Sequence, residues 1–118
     1  MPRSPESFLP LKPPVHQILL VLAEADSHGY GVMQAVRERS EGRVRLGTGA
    51  FYRHLGTLME AGLVEESERR PDDDDPRRGA YYRLTALGRE VVASEGRRLA
   101  ELVSRTERLG LLPGSRSS

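Results

Sequence analysis

The sequence contains no cysteine, and its longest uninterrupted apolar stretch runs only from Ile18 to Ala23. The lack of cysteine excludes a disulfide framework, a thiolate metal site and a cysteine nucleophile, and it favours a reducing cytoplasm as the compartment. A transmembrane helix needs about 20 apolar residues, so we expect a soluble protein with no membrane partner. The proline-containing start of the sequence also lacks the apolar core of a signal peptide.

A strong excess of one charge is missing as well, because 18 basic and 17 acidic residues leave a net charge of +1. Overall charge therefore neither favours nor excludes a polyanionic partner, and local charge must decide. Every basic residue except Lys12 is arginine. Arginine suits planar bidentate contacts with phosphate or carboxylate, although a GC-rich genome would produce the same bias without functional meaning.

The sequence shows no pattern typical of an enzyme or a metal site. His16, His28 and His54 are too far apart for a signature such as two histidines one helical turn apart. No serine, histidine and acid set has the spacing of a catalytic triad or a nucleophile elbow. We therefore expect neither enzymatic activity nor a bound metal or cofactor.

The 118 residues fit one small domain that begins after a proline-rich segment. Residues 1–13 are expected to form a flexible arm, and Pro14 suits the first turn of a helix because its missing N–H is unpaired there anyway. Apolar spacing predicts a helix in "VHQILLVLAEA" and a second one in "GYGVMQAVRER". We expect Tyr30, Met33 and Val36 on the inner face of the second helix.

A third helix is predicted from Thr48 to Ala61, with Thr48 as its N-cap and Phe51, Leu55 and Leu58 on its buried face. The segment before it, 44–46, is too short for more than an edge strand. "LVEESERR" and "GAYYRLT" are typical of two strands, and the prolines, aspartates and glycine between them predict a hairpin. Thr85 can cap a last helix, which is expected to end near Leu109 before a disordered tail, 110–118.

This order of elements predicts a mainly α fold with a small β-hairpin, namely a winged helix-turn-helix over 14–84 followed by one C-terminal dimerisation helix over 85–109. In such a fold the third helix lies in the DNA major groove and the hairpin tip, or wing, reaches the neighbouring backbone. Short residues at the start of the third helix allow close approach to the groove, and larger side chains after them supply donors for phosphates and base edges. The candidate contact residues on this helix are Thr48, Gly49, Ala50, Tyr52, Arg53 and His54.

The last helix carries apolar residues on two faces. Leu87 and Val91 can anchor it to its own domain. A second row follows a near-heptad spacing, which favours packing against the same helix of a second subunit and so predicts a homodimer. The same row could instead fold back on Leu9, Leu11 and Leu19. The candidate dimerisation residues are Val92, Leu99, Leu102 and Val103.

Three segments, "HGYGVMQAV", "GTGAFYRHLGTLMEAGLVEE" and "RRGAYYRLTALGRE", resemble in this order the motifs of PadR-family transcriptional regulators. The resemblance covers roughly 13–95, and the single last helix is similar to the short-tailed branch of the family. It implies a dimeric repressor that binds double-stranded DNA at a pseudo-palindromic operator. It also implies DNA contacts by Tyr52 and Arg53, by Tyr30 near the backbone-facing start of the second helix, and by the wing residues Arg77 and Arg78.

Two departures from the family pattern limit what can be carried over. "GTGAFY" has Gly49 and Ala50 where the family often has proline or serine, so base readout by this turn rests on fewer side chains. Some family members respond to small aromatic ligands, and some hold drugs between tryptophans of their last helices. This chain has no tryptophan, so a small-molecule effector is left unknown.

The run Asp72–Asp75 at the predicted hairpin tip admits three interpretations. Carboxylates are good ligands for calcium or magnesium, although four successive residues point in different directions. The run can instead be a solvated tip that charge keeps soluble. In the third interpretation the aspartates pair with neighbouring arginines and compete with DNA phosphate. The acidic tip and the low net charge also support an alternative function, a winged helix that serves only as a protein-interaction module.

Overall fold

The protein is described by a computed structural model that covers residues 3–68, 75, 77 and 79–113. Within these residues the chain forms four α-helices and one antiparallel sheet, preceded by a short 3₁₀ helix, Pro5–Phe8. The elements are α1 (Pro13–Glu24), β1 (Ser27–His28), α2 (Gly29–Arg39), α3 (Thr48–Glu60), β2 (Val64–Ser67), β3 (Tyr81–Leu84) and α4 (Ala86–Arg108). The strand order is β1-β3-β2, so β3 is central. This arrangement confirms the mainly α winged helix-turn-helix that the sequence predicts.

Residues 44–46 do not form the edge strand that the sequence allows there. Val44 lies in a loop, where its backbone N–H donates to the hydroxyl of Ser40 at 2.9 Å instead of to a strand. The third strand of the sheet comes from Ser27 and His28, which pair with Tyr82 and Tyr81 of β3. A strand of two residues is too short to show an alternating apolar pattern, so its sequence carries no strand signal.

Two local predictions are wrong. Gly47, and not Thr48, occupies the N-cap position of α3, and no side chain caps this helix end. Tyr30, expected on the inner face of α2, is 67% exposed, while Val32 and Val36 of the same helix are fully buried. The inner face of α2 is therefore rotated away from Tyr30, which is left on the protein surface.

The core confirms the apolar faces predicted for α3 and α4. Phe51, Leu55 and Leu58 of α3 are buried, and Val91 anchors α4 in the same cluster. Side chains of α1, α2 and both hairpin strands complete this core. Thr85 caps α4 as predicted, since its hydroxyl accepts the Gly88 N–H at 3.0 Å.

The described part of the N-terminal arm packs on α4 through a buried carboxylate. Glu95 is only 1% exposed, and it accepts the backbone N–H of Leu11 at 2.9 Å and the guanidinium of Arg98 at 3.0 Å. The hydrogen bond from Arg98 is the largest cause that lowers the pKa of Glu95, against the opposing effect of burial. A second contact joins the hydroxyl of Ser94 to the carboxylate of Glu6 at 3.3 Å. Two hydrogen bonds therefore connect the arm to α4.

We expect Gly88→Ala to destabilise the fold because α4 crosses the end of the hairpin too closely for a side chain. A Cβ at Gly88 would overlap the carbonyl oxygen of Leu63 and lie 2.7 Å from Cδ1 of Leu84. Overpacking of this kind lowers the free energy of unfolding by about 1–3 kcal/mol. Urea unfolding at matched protein concentration measures the change.

Gly96→Ala is the matched control on the same helix, because a Cβ there would meet no atom within 4 Å. Alanine favours a helix over glycine by up to about 1 kcal/mol, so this variant should be as stable as the parent protein or more stable. An equal loss of stability in both variants would contradict a steric cause at Gly88.

Candidate nucleic-acid interface

The N-terminal end of α2 packs directly against α3. His28 caps α2, since its Nδ1 accepts the N–H of Gly31 at 3.1 Å, and its ring meets Tyr81 edge to face at 5.3 Å. At Gly29 a Cβ would overlap the hydroxyl of Tyr52 and lie 3.3 Å from Cε2 of Phe51. Glycine at this position therefore allows the two aromatic rings of α3 to approach the start of α2.

Tyr52 contacts Phe51 and the start of α2 but remains partly exposed. Its ring stands edge to face on Phe51 at 4.9 Å, and its hydroxyl lies against Gly29. Burial is the largest cause that raises the pKa of Tyr82 on β3, followed by the nearby Tyr52 and Glu66. Nearly half of Tyr52, 47%, is still exposed. The hydroxyl-bearing ring therefore has a defined orientation at the protein surface.

The predicted contact residues in the first two turns of α3 differ in their exposure to solvent. Thr48, Gly49 and Arg53 are exposed, while Ala50 is half-buried. His54 is half-buried and lies on the side of α3 that faces the arm. Burial, and then the nearby Arg53 and Lys12, lower the pKa of His54. His54 is thus separated from the surface that the start of α3 shares with α2.

Two surface depressions connect the start of α3 with the wing. One, of about 750 Å³, runs from α2 across the following loop to Thr48, and the other, of about 580 Å³, lies between α2 and Arg77. Tyr30 and Gln34 line both depressions, so the two form one continuous surface. We call it the α2–wing face, and the residues that define it here are His28, Tyr30, Gly31, Gln34, Arg37, Glu38, Glu41, Arg45, Thr48 and Arg77.

Gln34, Arg37 and Arg45 belong to this face although the sequence did not single them out. Gln34 lies four residues after Tyr30, and Arg37 lies three residues after Gln34. This spacing places all three on one side of a helix. Helical spacing from Tyr30 could therefore have found them. Arg45 lies in the loop before α3, where no periodicity applies.

The α2–wing face carries both signs of charge. Arg37 and Arg45 form no ion pair with a described residue, but Glu38 and Glu41 lie beside them. Arg77 is paired, since its Nη2 lies 2.9 Å from Oδ2 of Asp75. Arg78 and the aspartates 72–74 lie outside the described residues. Within the part of the chain that is described, no three histidine or carboxylate side chains come together as metal ligands.

The family model described as "Transcriptional regulator PadR-like family" matches residues 18–94, which is more than half of the chain. The chain belongs to the PadR-like family of transcriptional regulators. This family consists of transcriptional regulators and not of enzymes, in agreement with the expectation from the sequence. A search among curated protein sequences found no match.

Solved structures of similar proteins agree with this PadR-like fold. RosR from H. salinarum is 29% identical, with a TM-score of 0.63 over 87% of this chain and 90% of that one. A PadR family transcription regulator from Clostridium difficile is 21% identical, with a TM-score of 0.64 over 80% of this chain and 95% of that one. A transcriptional regulator from Clostridium thermocellum is 22% identical, with a TM-score of 0.63 over 78% and 84%.

The four candidate dimerisation residues on the last helix of this PadR-like chain differ in exposure. Val92 is half-buried against the core of its own domain, and Leu99 is also half-buried. Leu102 and Val103 are exposed by 41% and 48%. None of the helices within 3–68 and 79–113 combines the length and the apolar character that crossing a bilayer requires.

Proposed function

We propose that this PadR-like regulator is a repressor that binds a pseudo-palindromic operator as a homodimer, with α3 of each subunit in the major groove. The observation that carries the proposal is the α2–wing face, because it joins the exposed start of α3 to Arg77 of the wing without a break. A winged helix needs such a surface to contact the groove and the neighbouring backbone together. In this proposal 14–84 bind DNA and 85–109 hold the dimer.

The roles of the residues follow from their exposure. Thr48 and Gly49 have short side chains or none and are exposed, so the N-terminal end of α3 can approach the bases closely. Arg53 is exposed one turn further along and forms no ion pair with a described residue, which leaves its guanidinium available for a base edge. Tyr30 and Tyr52 offer hydroxyl groups to phosphates, and Arg78 is proposed to assist Arg77 at the wing.

The end of α4 supports the homodimer. Leu102 and Val103 are exposed, as are Leu109 and Leu111 beyond them. A stretch of exposed apolar side chains at the end of a helix and just beyond it is typical of an interaction surface, and the same segment of a second copy is its simplest partner. Two subunits would present α3 to half-sites about one helical turn, roughly 34–36 Å, apart.

The direct test is a mobility-shift assay with the DNA upstream of the protein's own gene, run at two salt concentrations. We expect a specific shift that weakens as salt rises, because binding to phosphate releases counterions. The alternative function is a protein-interaction module. The acidic Glu38 and Glu41 on the α2–wing face favour this alternative. Absence of any shift at low salt would favour that alternative.

Arg53→Ala should weaken binding to the operator by about 1–3 kcal/mol if the guanidinium contacts a base in bidentate fashion. Competition titrations with the operator and with unrelated DNA measure the loss on each. Arg39→Ala is the matched control, since Arg39 pairs with Glu24 at 2.9 Å and lies outside the α2–wing face. An equal loss on every sequence would assign Arg53 to phosphate contact instead.

Leu102→Asp should convert the dimer to monomers, because a charge would be buried where two apolar surfaces meet. Light scattering of the full chain measures the mass, which should fall from about twice to once the 13.1 kDa of one chain. Leu20→Asp serves as the control, since Leu20 is exposed to a similar degree, 38%, but lies on α1. A mass unaffected by Leu102→Asp would place the interface elsewhere.

Asp75→Asn should strengthen non-specific DNA binding and steepen its dependence on salt. Asp75 accepts from Nε and Nη2 of Arg77 at 3.1 and 2.9 Å, so a phosphate that binds Arg77 must displace this carboxylate. Each additional phosphate that the protein neutralises raises the slope of log affinity against log salt by roughly 0.9. Filter binding over a series of salt concentrations gives the slope.

Glu65→Gln provides the control for this loss of charge. Glu65 pairs with Arg83 at 2.8 Å on the same hairpin, but neither residue lines the α2–wing face. This variant should leave the slope unchanged. If Asp75→Asn and Glu65→Gln gave the same slope as the parent protein, competition between Asp75 and phosphate would be excluded.

A further inference from the structure

The N-terminal arm lies beside α3, on the side opposite to α2. On one side of α3, the hydroxyl of Tyr52 lies against Gly29 at the start of α2. On the other side, His54 and Thr57 share a depression with arm residues that include Lys12. Tyr52 and His54 are two residues apart, which in an α-helix directs them about 200° apart around the axis. The helix α3 is therefore bordered by α2 on one flank and by the arm on the other.

The surface of α3 between these two flanks is exposed. Gly49, Arg53 and Gly56 follow each other at intervals of four and three residues, so they share one side of the helix, and all three are exposed. The proposed function places this side in the major groove of DNA. The groove is about 12 Å wide, and a helix with its side chains measures about 10–12 Å across. The phosphate backbones therefore pass along both flanks of α3, one beside α2 and the other beside the arm.

The arm carries two cations on this flank. Arg3 and Lys12 are exposed, and neither forms an ion pair with a described residue. None of the described residues that line the depression between the arm and α3 is acidic. The carboxylate of Glu6, on the same arm, accepts from the hydroxyl of Ser94 on α4 at 3.3 Å instead. The attraction of Arg3 and Lys12 to phosphate is therefore not offset by a carboxylate that lines the depression.

The fold holds the backbone that carries both cations. Lys12 occupies the N-cap position of α1, where the arm joins the domain. The backbone N–H of Leu11 donates to the buried carboxylate of Glu95 at 2.9 Å. The guanidinium of Arg3 stacks on the ring of Phe8 at 4.5 Å from its centroid, which leaves the N–H groups at the edge of the guanidinium available to an anion. Because the arm is in place before DNA binds, its contacts cost less conformational entropy.

We propose that the arm is a further DNA-contacting element, in which Arg3 and Lys12 bind phosphates of the backbone on the flank of the major groove opposite to α2. This role rests on the proposed function, because it requires α3 to lie in the groove. Phosphates are the same on every DNA sequence, so the arm adds affinity and fixes the position of α3 without reading bases. The groove-bound helix is then held from both flanks, by α2 and the wing on one and by the arm on the other.

Salt titrations of the full chain with the operator and with unrelated DNA test this role. Lys12→Gln and Arg3→Gln should each make the slope of log affinity against log salt less steep by roughly 0.9 on both DNAs, because each removes the neutralisation of one phosphate. The loss of affinity relative to the parent protein should therefore be about 3.5-fold larger at 50 mM salt than at 200 mM. Slopes equal to that of the parent in both variants would overturn the arm contact.

Two matched variants separate phosphate contact from net charge and from local structure. Lys12→Arg keeps the positive charge at the same position and should retain the parent slope. Arg39→Gln removes one positive charge outside the arm and outside the α2–wing face, where Arg39 pairs with Glu24, and it should also retain the parent slope. An equal loss of slope in Arg39→Gln and Lys12→Gln would show that net charge alone sets the salt dependence, which overturns the arm contact.

A cleavage experiment locates the arm on the DNA. The chain has no cysteine, so Ser7→Cys can carry a single iron–EDTA reagent on the arm beside α3. With ascorbate and peroxide, this conjugate should cut the operator backbone along one edge of the major groove at each half-site. The same reagent on Ala25→Cys, an exposed position at the opposite end of α1, should not cut that edge. Absence of cuts from the arm within the half-sites would overturn the proposal.

Failure of the arm contact and failure of the proposed function give different results. A specific operator shift by the parent protein, with parent slopes in Lys12→Gln and Arg3→Gln, would sustain the proposed function and overturn the arm contact. Absence of any DNA shift by the parent protein at low salt would overturn both. Lowered slopes in the two arm variants together with cuts within the half-sites would support both.

Discussion

The structure depends on a small hydrogen-bonded junction around Thr85. The Thr85 hydroxyl donates to the carbonyl of Gly62 at 2.6 Å and accepts the N–H of Gly88 at 3.0 Å, and the Thr85 backbone N–H donates to the carbonyl of Leu63 at 3.0 Å. Four element ends meet here, those of α3, β2, β3 and α4. Since Gly88 lets α4 cross directly over Leu63, the directions of α3, the hairpin and α4 are all set at one place.

The continuity of the α2–wing face follows from this junction together with a second close approach. The junction orients α3 relative to the hairpin, while Gly29 brings the start of α2 against Phe51 and Tyr52 of α3. Pairing of His28 with Tyr81 then ties the same end of α2 to the central strand. Because α2, α3 and β3 are joined pairwise, the start of α3 is held in a fixed position relative to the central strand before any partner binds, which reduces the entropy lost on binding.

How far the sequence predicts this structure depends on where each interaction partner lies. The Thr85 cap, the hairpin strands and the buried face of α3 were predicted, because each depends on residues a few positions apart. The strand Ser27–His28 needs partners on β3, and the carboxylate of Glu95 is buried by a backbone N–H 84 residues away, so neither has a local signal. Tyr30 was misplaced for the same reason, since tertiary packing sets the rotation of α2.

The charges on and beside the α2–wing face suggest how much each arginine would contribute to the attraction to DNA. Arg77 already has a carboxylate partner, so in the proposed complex its contact with phosphate would exchange one anion for another and add little net attraction. Arg37 and Arg45 of this face, and Arg53 of α3 outside it, have no ion-pair partner among the described residues, so in the proposed complex each would add a new attraction to DNA. In a chain with a net charge of only +1, long-range attraction is weak. In the proposed complex, Arg37, Arg45 and Arg53 would therefore strengthen binding through contacts at close range, where geometry and base sequence matter most.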